Sequence, residues 1–187
     1  MEKLITYIKS LVAIEDEIIN EILPFFEYKL YKKEQAVIRR GQFVTKYYFI
    51  KSGGVRMVLD TEEKEITAWL IFENQFFTDL TSLKSGRATQ ANILTIENTE
   101  IFSIEATTMH QLYKRYPIWQ EFGRNIIEDA FVNLVNTLVS FQIMDAEARY
   151  LHLMNQSDAI HRIPLKQLAS YLGITPTSLS RIRKNIK

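Results

Sequence analysis

The stretch from Ile163 to Lys187, IPLKQLASYLGITPTSLSRIRKNIK, constrains the fold more tightly than any other part of the chain. Pro164 suits the first turn of a helix, where its missing N–H would have no intrahelical partner. Leu165, Leu168, Ala169 and Leu172 recur at helical spacing and mark a buried face. Gly173 follows, where a helix end needs a residue that tolerates positive φ. Thr175 is a good N-cap, and Pro176 takes the first position of a second helix. Leu179 and Ile182 give that helix a narrow apolar stripe, which leaves Ser178, Arg181, Lys184 and Asn185 on its other faces. Two short helices on a tight turn make the helix-turn-helix pattern, whose second helix enters the DNA major groove.

The charge agrees with this reading. Asp158 is the last acidic residue, and Arg162, Lys166, Arg181, Arg183, Lys184 and Lys187 follow it in a chain whose net charge is only +1. The rest of the molecule is therefore acidic overall. A small basic module on an acidic body is the electrostatic footprint of a DNA-binding end. The other reading of the pattern is a helical hairpin that merely packs on the body, with its basic residues as a solvated face.

At 187 residues the chain is one large domain or two small ones. It has no cysteine, which excludes disulfides, thiolate zinc sites and cysteine-ligated clusters. No run approaches the roughly 18 uninterrupted apolar residues of a membrane span. The N-terminus is acidic and amphipathic, without a signal-peptide cleavage pattern. These features predict a cytoplasmic protein with no membrane partner.

Taken in order, residues 2 to about 23 read as one helix, with Leu4, Ile5, Ile8, Leu11, Val12 and Ile14 along one side and Pro24 near its end. From Phe25 to Ile104 the texture is β. Aromatic and branched residues come in short runs, with turns at Arg40-Gly41-Gln42, Ser52-Gly53-Gly54 and Asn98-Thr99. Val55 to Leu59 and Ile66 to Ile71 read as a hairpin around the polar loop Asp60 to Glu65. Ile93 to Ile96 and Glu100 to Ile104 read as the closing strands. Many short, evenly spaced strands predict a sandwich or jelly-roll.

The order VIRRGQFVTKYYFIKSGGVRMV, a hairpin, FENQFFTDL and then ILTIENTEIFSIEATTMHQLYKRYP resembles the cyclic-nucleotide-binding domain of the Crp/Fnr transcription regulators. The resemblance runs from about Leu23 to the C-terminus. The family's glycines fall on Gly41 and on Gly53 or Gly54. Met109 to Pro117 resembles its lead into the dimer helix, and Asp145 to Gln156 the helix ahead of its helix-turn-helix. The resemblance implies an α+β fold. Its parts are an N-terminal β jelly-roll, or double-stranded β-helix (1–116), a long dimerisation helix (117–141) and a C-terminal helix-turn-helix (142–187). No two-stranded wing is expected after Lys187.

In the family, a Gly-Glu-Leu helix start and a following arginine hold a cyclic phosphate, since helix-start amides and a guanidinium both suit an anion. Here the run is Phe77-Thr78-Asp79-Leu80. Thr78 replaces the glycine, and Asp79 is one methylene shorter than glutamate. Arg87-Ala88-Thr89 looks like the arginine signature, yet ungapped counting from the Glu97–Glu100 turn puts Thr89 at the arginine position. The candidate effector residues are Thr78, Asp79, Leu80, Arg87 and Thr89. Cyclic AMP is not the expected ligand, and no cofactor is assigned.

Pro117 to Phe141 is the longest helical pattern. Ile118, Phe122, Ile126, Phe131, Leu134, Val135, Leu138 and Phe141 share one broad face, and Ile127, Ala130 and Val132 widen it. So apolar a helix is expected to cover the barrel on one side and its own copy in a two-fold dimer on the other. The resemblance places Arg181 at a base edge, where bidentate contact with guanine is the usual chemistry. Its other reading positions fall on Pro176 and Thr177. The candidate DNA contacts are Thr175, Thr177, Ser178, Arg181, Arg183 and Lys184, with Lys187 a further phosphate contact.

Enzymatic chemistry is not expected. His110, His152 and His161 lie far apart, and none falls within the β region from Phe25 to Ile104. Neither a phosphate loop nor a nucleophile elbow is present. The expected partners are double-stranded DNA and a second copy of the chain, with RNA polymerase and an unknown small-molecule effector as further partners of this class. The alternative is a ligand-sensing or protein-interaction module with a degenerate DNA-binding end.

Overall fold

The computed structural model describes residues 1–62 and 64–186, with the backbone alone at Gln156, so Glu63 of the predicted hairpin loop and Lys187 lie outside the described residues. Two four-stranded antiparallel sheets form the body. One has the order β1 (Glu27–Tyr31), β8 (Thr99–Glu105), β3 (Lys46–Ser52), β6 (Phe76–Phe77). The other runs β2 (Ala36–Ile38), β7 (Asn92–Thr95), β4 (Gly54–Asp60), β5 (Glu65–Phe72). This is the predicted jelly-roll. Its inner faces bury Tyr31, Ile38, Ile50, Val55, Ile93 and Ile101 in one cluster. The alternation of strand side chains puts these residues on the inside. Gly53 makes the corner between β3 and β4 with φ +92, and a Cβ there would lie 2.6 Å from the Thr99 hydroxyl. Only glycine fits that corner.

The helices close the open side of the first sheet. Residues 2 to 23 form two helices, α1 (Glu2–Leu11) and α2 (Asp16–Ile22), where the sequence predicts one. Val12 is extended at φ −148 and ψ 149, and both Val12 and Ile14 are buried. A two-residue alternation carries them into the core, and Asp16 and Glu17 then favour a fresh helix N-terminus. Leu4, Ile8, Ile19, Ile22, Phe49 and Phe102 meet in this second cluster.

Helix α3 (Leu80–Ser85) precedes β7, and α4 (Ala106–Arg115) follows β8. Helix α5 then runs without a break over Pro117–Ile143. Its beginning is sealed into the body. Trp119 and Phe122 are fully buried and stack with ring centroids 4.4 Å apart. Gly123 lets Tyr113 close over the helix, because a Cβ would sit 2.4 Å from the Tyr113 hydroxyl. Beyond Ile126 the helix differs from the sequence reading. Residues 127 to 139 are exposed apart from half-buried Thr137, so this stretch covers no part of the barrel within one chain. By length and composition α5 is apolar enough to cross a membrane, with a mean hydropathy of 1.2 in its most apolar window.

The C-terminal helices are α6 (Ala146–Gln156), α7 (Leu165–Leu172) and α8 (Pro176–Asn185). Asp145 caps α6, its side chain accepting from the Ala148 N–H. Gly173 ends α7 at φ +72, in the left-handed region its position requires. Leu168, Ala169, Leu172 and Leu179 are fully buried, as the spacing predicts. They share a third core with Ile96, Leu70 and Phe72 of the barrel.

Candidate DNA-contact surface and effector pocket

The N-cap of α8 is built as its residues dictate. The Thr175 hydroxyl accepts from the Ser178 N–H at 3.1 Å and lies 2.9 Å from the Ser178 hydroxyl. Ser178 is therefore half-buried and engaged in the cap. Thr177, Arg181 and Lys184 are all exposed. Their spacing of four and three residues sets them on one face. Leu179, on the opposite side, is fully buried and fixes the rotation of the helix.

Arg183 stands apart from these residues. It is half-buried, its guanidinium lies 5.6 Å from the Tyr150 ring centroid, and its Nε is buried without a hydrogen-bond partner. Arg162 is also committed, to Glu73 and Glu97 of the barrel. Of the lysines and arginines described after Asp158, only Lys166, Arg181 and Lys184 have exposed side chains outside ion pairs and ring contacts among the described residues.

The helix-turn-helix is fastened to the barrel at its back. The Thr67 N–H of β5 donates to the Ser170 hydroxyl at 3.0 Å, and Gln167 donates to Glu34 at 2.7 Å. Arg56, 3% exposed, donates to Glu34 and Glu65 beneath this contact. Arg149 of α6 joins three helices. Its guanidinium donates to the carbonyls of Phe141 and Met144 at the end of α5, and to that of Leu172 at the end of α7. Sequence reasoning missed Arg149. The usable signal was a cation in the first turns of α6, six residues past the end of α5, because helix C-termini gather cations.

The residues proposed for an effector separate into two groups. Asp79 caps α3: one carboxylate oxygen accepts from the Ser82 N–H at 3.0 Å, and the other from the Thr89 hydroxyl. Thr89 is 2% exposed and Asp79 9%. The Thr78 hydroxyl donates to the Lys46 carbonyl at 2.9 Å. Leu80 and Arg87 point outward and are exposed, and the Arg87 carbonyl accepts from the Ser82 hydroxyl. The position where the resemblance would put an arginine is thus a threonine bonded to a carboxylate. A buried carboxylate repels an incoming phosphate, whose charge has the same sign. No group of three or more His, Asp or Glu side chains among the described residues could hold a metal ion.

This architecture is that of a known class. Residues 28–116 match the family model of the cyclic nucleotide-binding domain. Among solved structures, a mutant of CooA from Carboxydothermus hydrogenoformans superposes with a TM-score of 0.69 at 18% identity, covering 93% of this chain and 85% of that one. The c-di-GMP-responsive global regulator CLP of Xanthomonas campestris gives 0.71 at 15% identity, over 92% and 91%. FixK2 of Bradyrhizobium japonicum gives 0.69 at 13%, over 86% and 84%. At these identities the likeness is one of fold. No curated protein matches the chain in sequence. Residues 28–116 thus carry the match to the cyclic nucleotide-binding domain, and the chain as a whole shares the fold of these solved structures.

Proposed function

We propose that the protein is a homodimeric transcription regulator of the Crp/Fnr type that reads a palindromic DNA site with α8. The observation that carries this reading is the exposed face of Thr177, Arg181 and Lys184 on a helix held from behind by Leu179. Arg181 is the base-reading residue, and Lys184 and Thr177 contact phosphate. Arg183 supports the helix from Tyr150 and adds charge without base contact.

The dimer reading rests on α5. Ile127, Phe131, Leu134, Leu138 and Phe141 follow a four-three-four-three spacing, and each is 37% or more exposed. That spacing is the seam of a two-stranded coiled coil. A two-fold pair built on it sets the two α8 helices about one DNA turn apart, ~34 Å, and half-sites in the DNA follow with the same symmetry. Within this reading 1–116 is the effector domain, 117–141 the dimer helix and 142–187 the DNA-binding domain. An effector would shift the population of α5 and α8 arrangements. Cyclic AMP is a poor candidate, since Asp79 and Thr89 occupy its expected site.

The test is a salt titration of DNA binding by wild type and Arg181→Ala, on selected and random duplexes. Selection of a palindrome by the wild type, relaxed in the variant, is the expected result. Absence of binding at low salt by the dimer would overturn the reading.

A further inference from the structure

Past the end of β2 the chain turns through Arg39, Arg40, Gly41, Gln42 and Phe43 before it enters the core again at Val44. This turn is stitched to the segment around α3. The Gly41 N–H donates to the Thr89 carbonyl and the Thr89 N–H to the Gln42 carbonyl, both at 2.9 Å. The Val44 N–H donates to the Ser82 hydroxyl at 3.1 Å, and that hydroxyl donates to the Arg87 carbonyl at 2.6 Å. The Arg40 N–H donates to the Asn92 side chain at 2.9 Å. Two stretches distant in sequence therefore form one corner with a fixed backbone.

The surface of this corner is cationic. Arg39, Arg40, Lys84 and Arg87 are exposed, and their side chains have no hydrogen bond, ion pair or ring contact among the described residues. Residues 36–46 hold no acid, and 78–92 hold only Asp79, which is buried against Ser82 and Thr89. Asp60 reaches the margin of the corner through Asn92. Elsewhere on the molecule exposed cations are matched, Lys9 to Asp16, Arg115 to Glu21 and Arg124 to Glu128. Among the unmatched charges stand two apolar side chains, Phe43 at 64% and Leu80 at 41% exposure. Leu80 and Lys84, four residues apart, share the outer face of α3, while Leu83 packs against the barrel core.

We propose that this corner docks an acidic segment of another protein, with carboxylates on Arg39, Arg40 and Arg87 and an apolar side chain against Phe43 and Leu80. Three of the four cations are arginines, whose planar forks meet both oxygens of a carboxylate. Like charges gathered on a fixed backbone repel one another, and an acidic partner relieves that repulsion. Complementarity of this kind selects the partner and speeds its encounter. The apolar pair selects further. Only Phe43 offers a ring on which a base would stack, which disfavours a single-stranded nucleic acid. Two side chains are too little apolar area to hold a lipid surface. The docking does not rest on the regulator reading above.

The full-length protein, labelled with nitrogen-15, is titrated with a pool of synthetic decapeptides randomised over Glu, Asp, Leu, Phe, Gly and Ser. A matched pool has Gln and Asn in place of the acids. Expected are saturable shifts of the Gln42, Phe43 and Leu80 amides with the acidic pool alone, weakening as salt rises. Against the tightest binder, Arg39→Ala/Arg40→Ala should weaken binding by about tenfold or more, through loss of charge-assisted contacts. Phe43→Ser should weaken it by about threefold or more with every charge kept. These side chains are exposed, so thermal melts of the variants should match the wild type. Amides unmoved by the acidic pool at millimolar concentration, or equal binding of the two pools, overturn the proposal, and the wild-type titrations decide this even if a variant melts early. Tighter binding at the corner by oligothymidylate or by phosphatidylglycerol vesicles than by the peptide overturns it as well. DNA binding of the same sample without peptide is scored separately, so failure of the regulator reading shows there alone.

Discussion

Arg162 grips Glu73 through two parallel hydrogen bonds of 2.7 Å each, tying the segment ahead of α7 to the turn after β5. Burial pushes the Glu73 carboxyl up, but the Arg162 guanidinium and the backbone amides of Glu73 and Gly53 outweigh it and hold it below the usual carboxylate range. A depressed folded pKa contributes stability that is present at neutral pH and is lost as the pH falls through the folded value. The helix-turn-helix should therefore loosen from the barrel as the pH falls below the ordinary glutamate range, short of global unfolding. Hydrogen exchange of α7 against β3 reads this directly. Arg162→Ala should loosen α7 at neutral pH by about 1 kcal/mol, a partly exposed pair being discounted for solvent screening, and should flatten the acid response.

Arg149 closes the ends of two helices at once, and no other described side chain bonds to the Leu172 carbonyl. Arg149→Ala should lower stability by roughly 2–4 kcal/mol, because charge-assisted bonds are lost and buried carbonyls lose their partners. Arg149→Lys should recover only part of this, since an ammonium lacks the planar fork. Urea denaturation of the three proteins side by side measures both effects.

On the proposed DNA face, Arg181→Ala and Lys184→Ala should fail differently. Loss of a base-reading arginine should cost ~1–3 kcal/mol at one operator position and relax choice there. Loss of a phosphate contact should weaken all sequences alike and reduce the salt slope by about one. Arg183→Ala should instead destabilise α8, because its guanidinium lies over Tyr150. Salt-dependent titrations with a thermal melt for each variant separate the three.

Leu134→Glu with Leu138→Glu should give a folded monomer. Both side chains are about half exposed in the single chain, so the charges harm no internal core. Sedimentation equilibrium should show the dimer lost, and DNA affinity should fall steeply with it. A variant that remains dimeric would move the seam elsewhere.

Asp79→Ala should lower stability by about 1–2 kcal/mol, through loss of the α3 cap and of the Thr89 partner. It should leave cyclic AMP without effect on the melting temperature, as in the wild type. A cyclic AMP shift in the wild type would contradict the assignment of that pair to structure.

The parts that were legible in the sequence are those set by local chemistry. Gly173, Thr175 and Pro176 each have one comfortable backbone state, and together they marked the turn of the helix-turn-helix. The β hairpin and the closing strands followed from alternation. The break between α1 and α2 was not visible, because Val12 and Ile14 fit a helical stripe as well as an extended one. Asp79 and Thr89 are ten residues apart, and nothing local announces that one bonds the other. The setting of α5 was harder still. Its apolar residues can be counted off the sequence, but which of them meet the body depends on Trp119 and Phe122, buried at its start. Arg183 looked like another tail cation until its ring partner was in place.

The third core has a further consequence. Leu168, Leu172 and Leu179 are completed by Ile96, Leu70 and Phe72, which belong to the barrel. A cut in the chain near Met144 would sever a peptide bond and also strip the excised tail of part of its interior. The helix-turn-helix end is thus not a portable cassette. Grafted onto another barrel, it would meet the wrong side chains and would have to be repacked before it could fold.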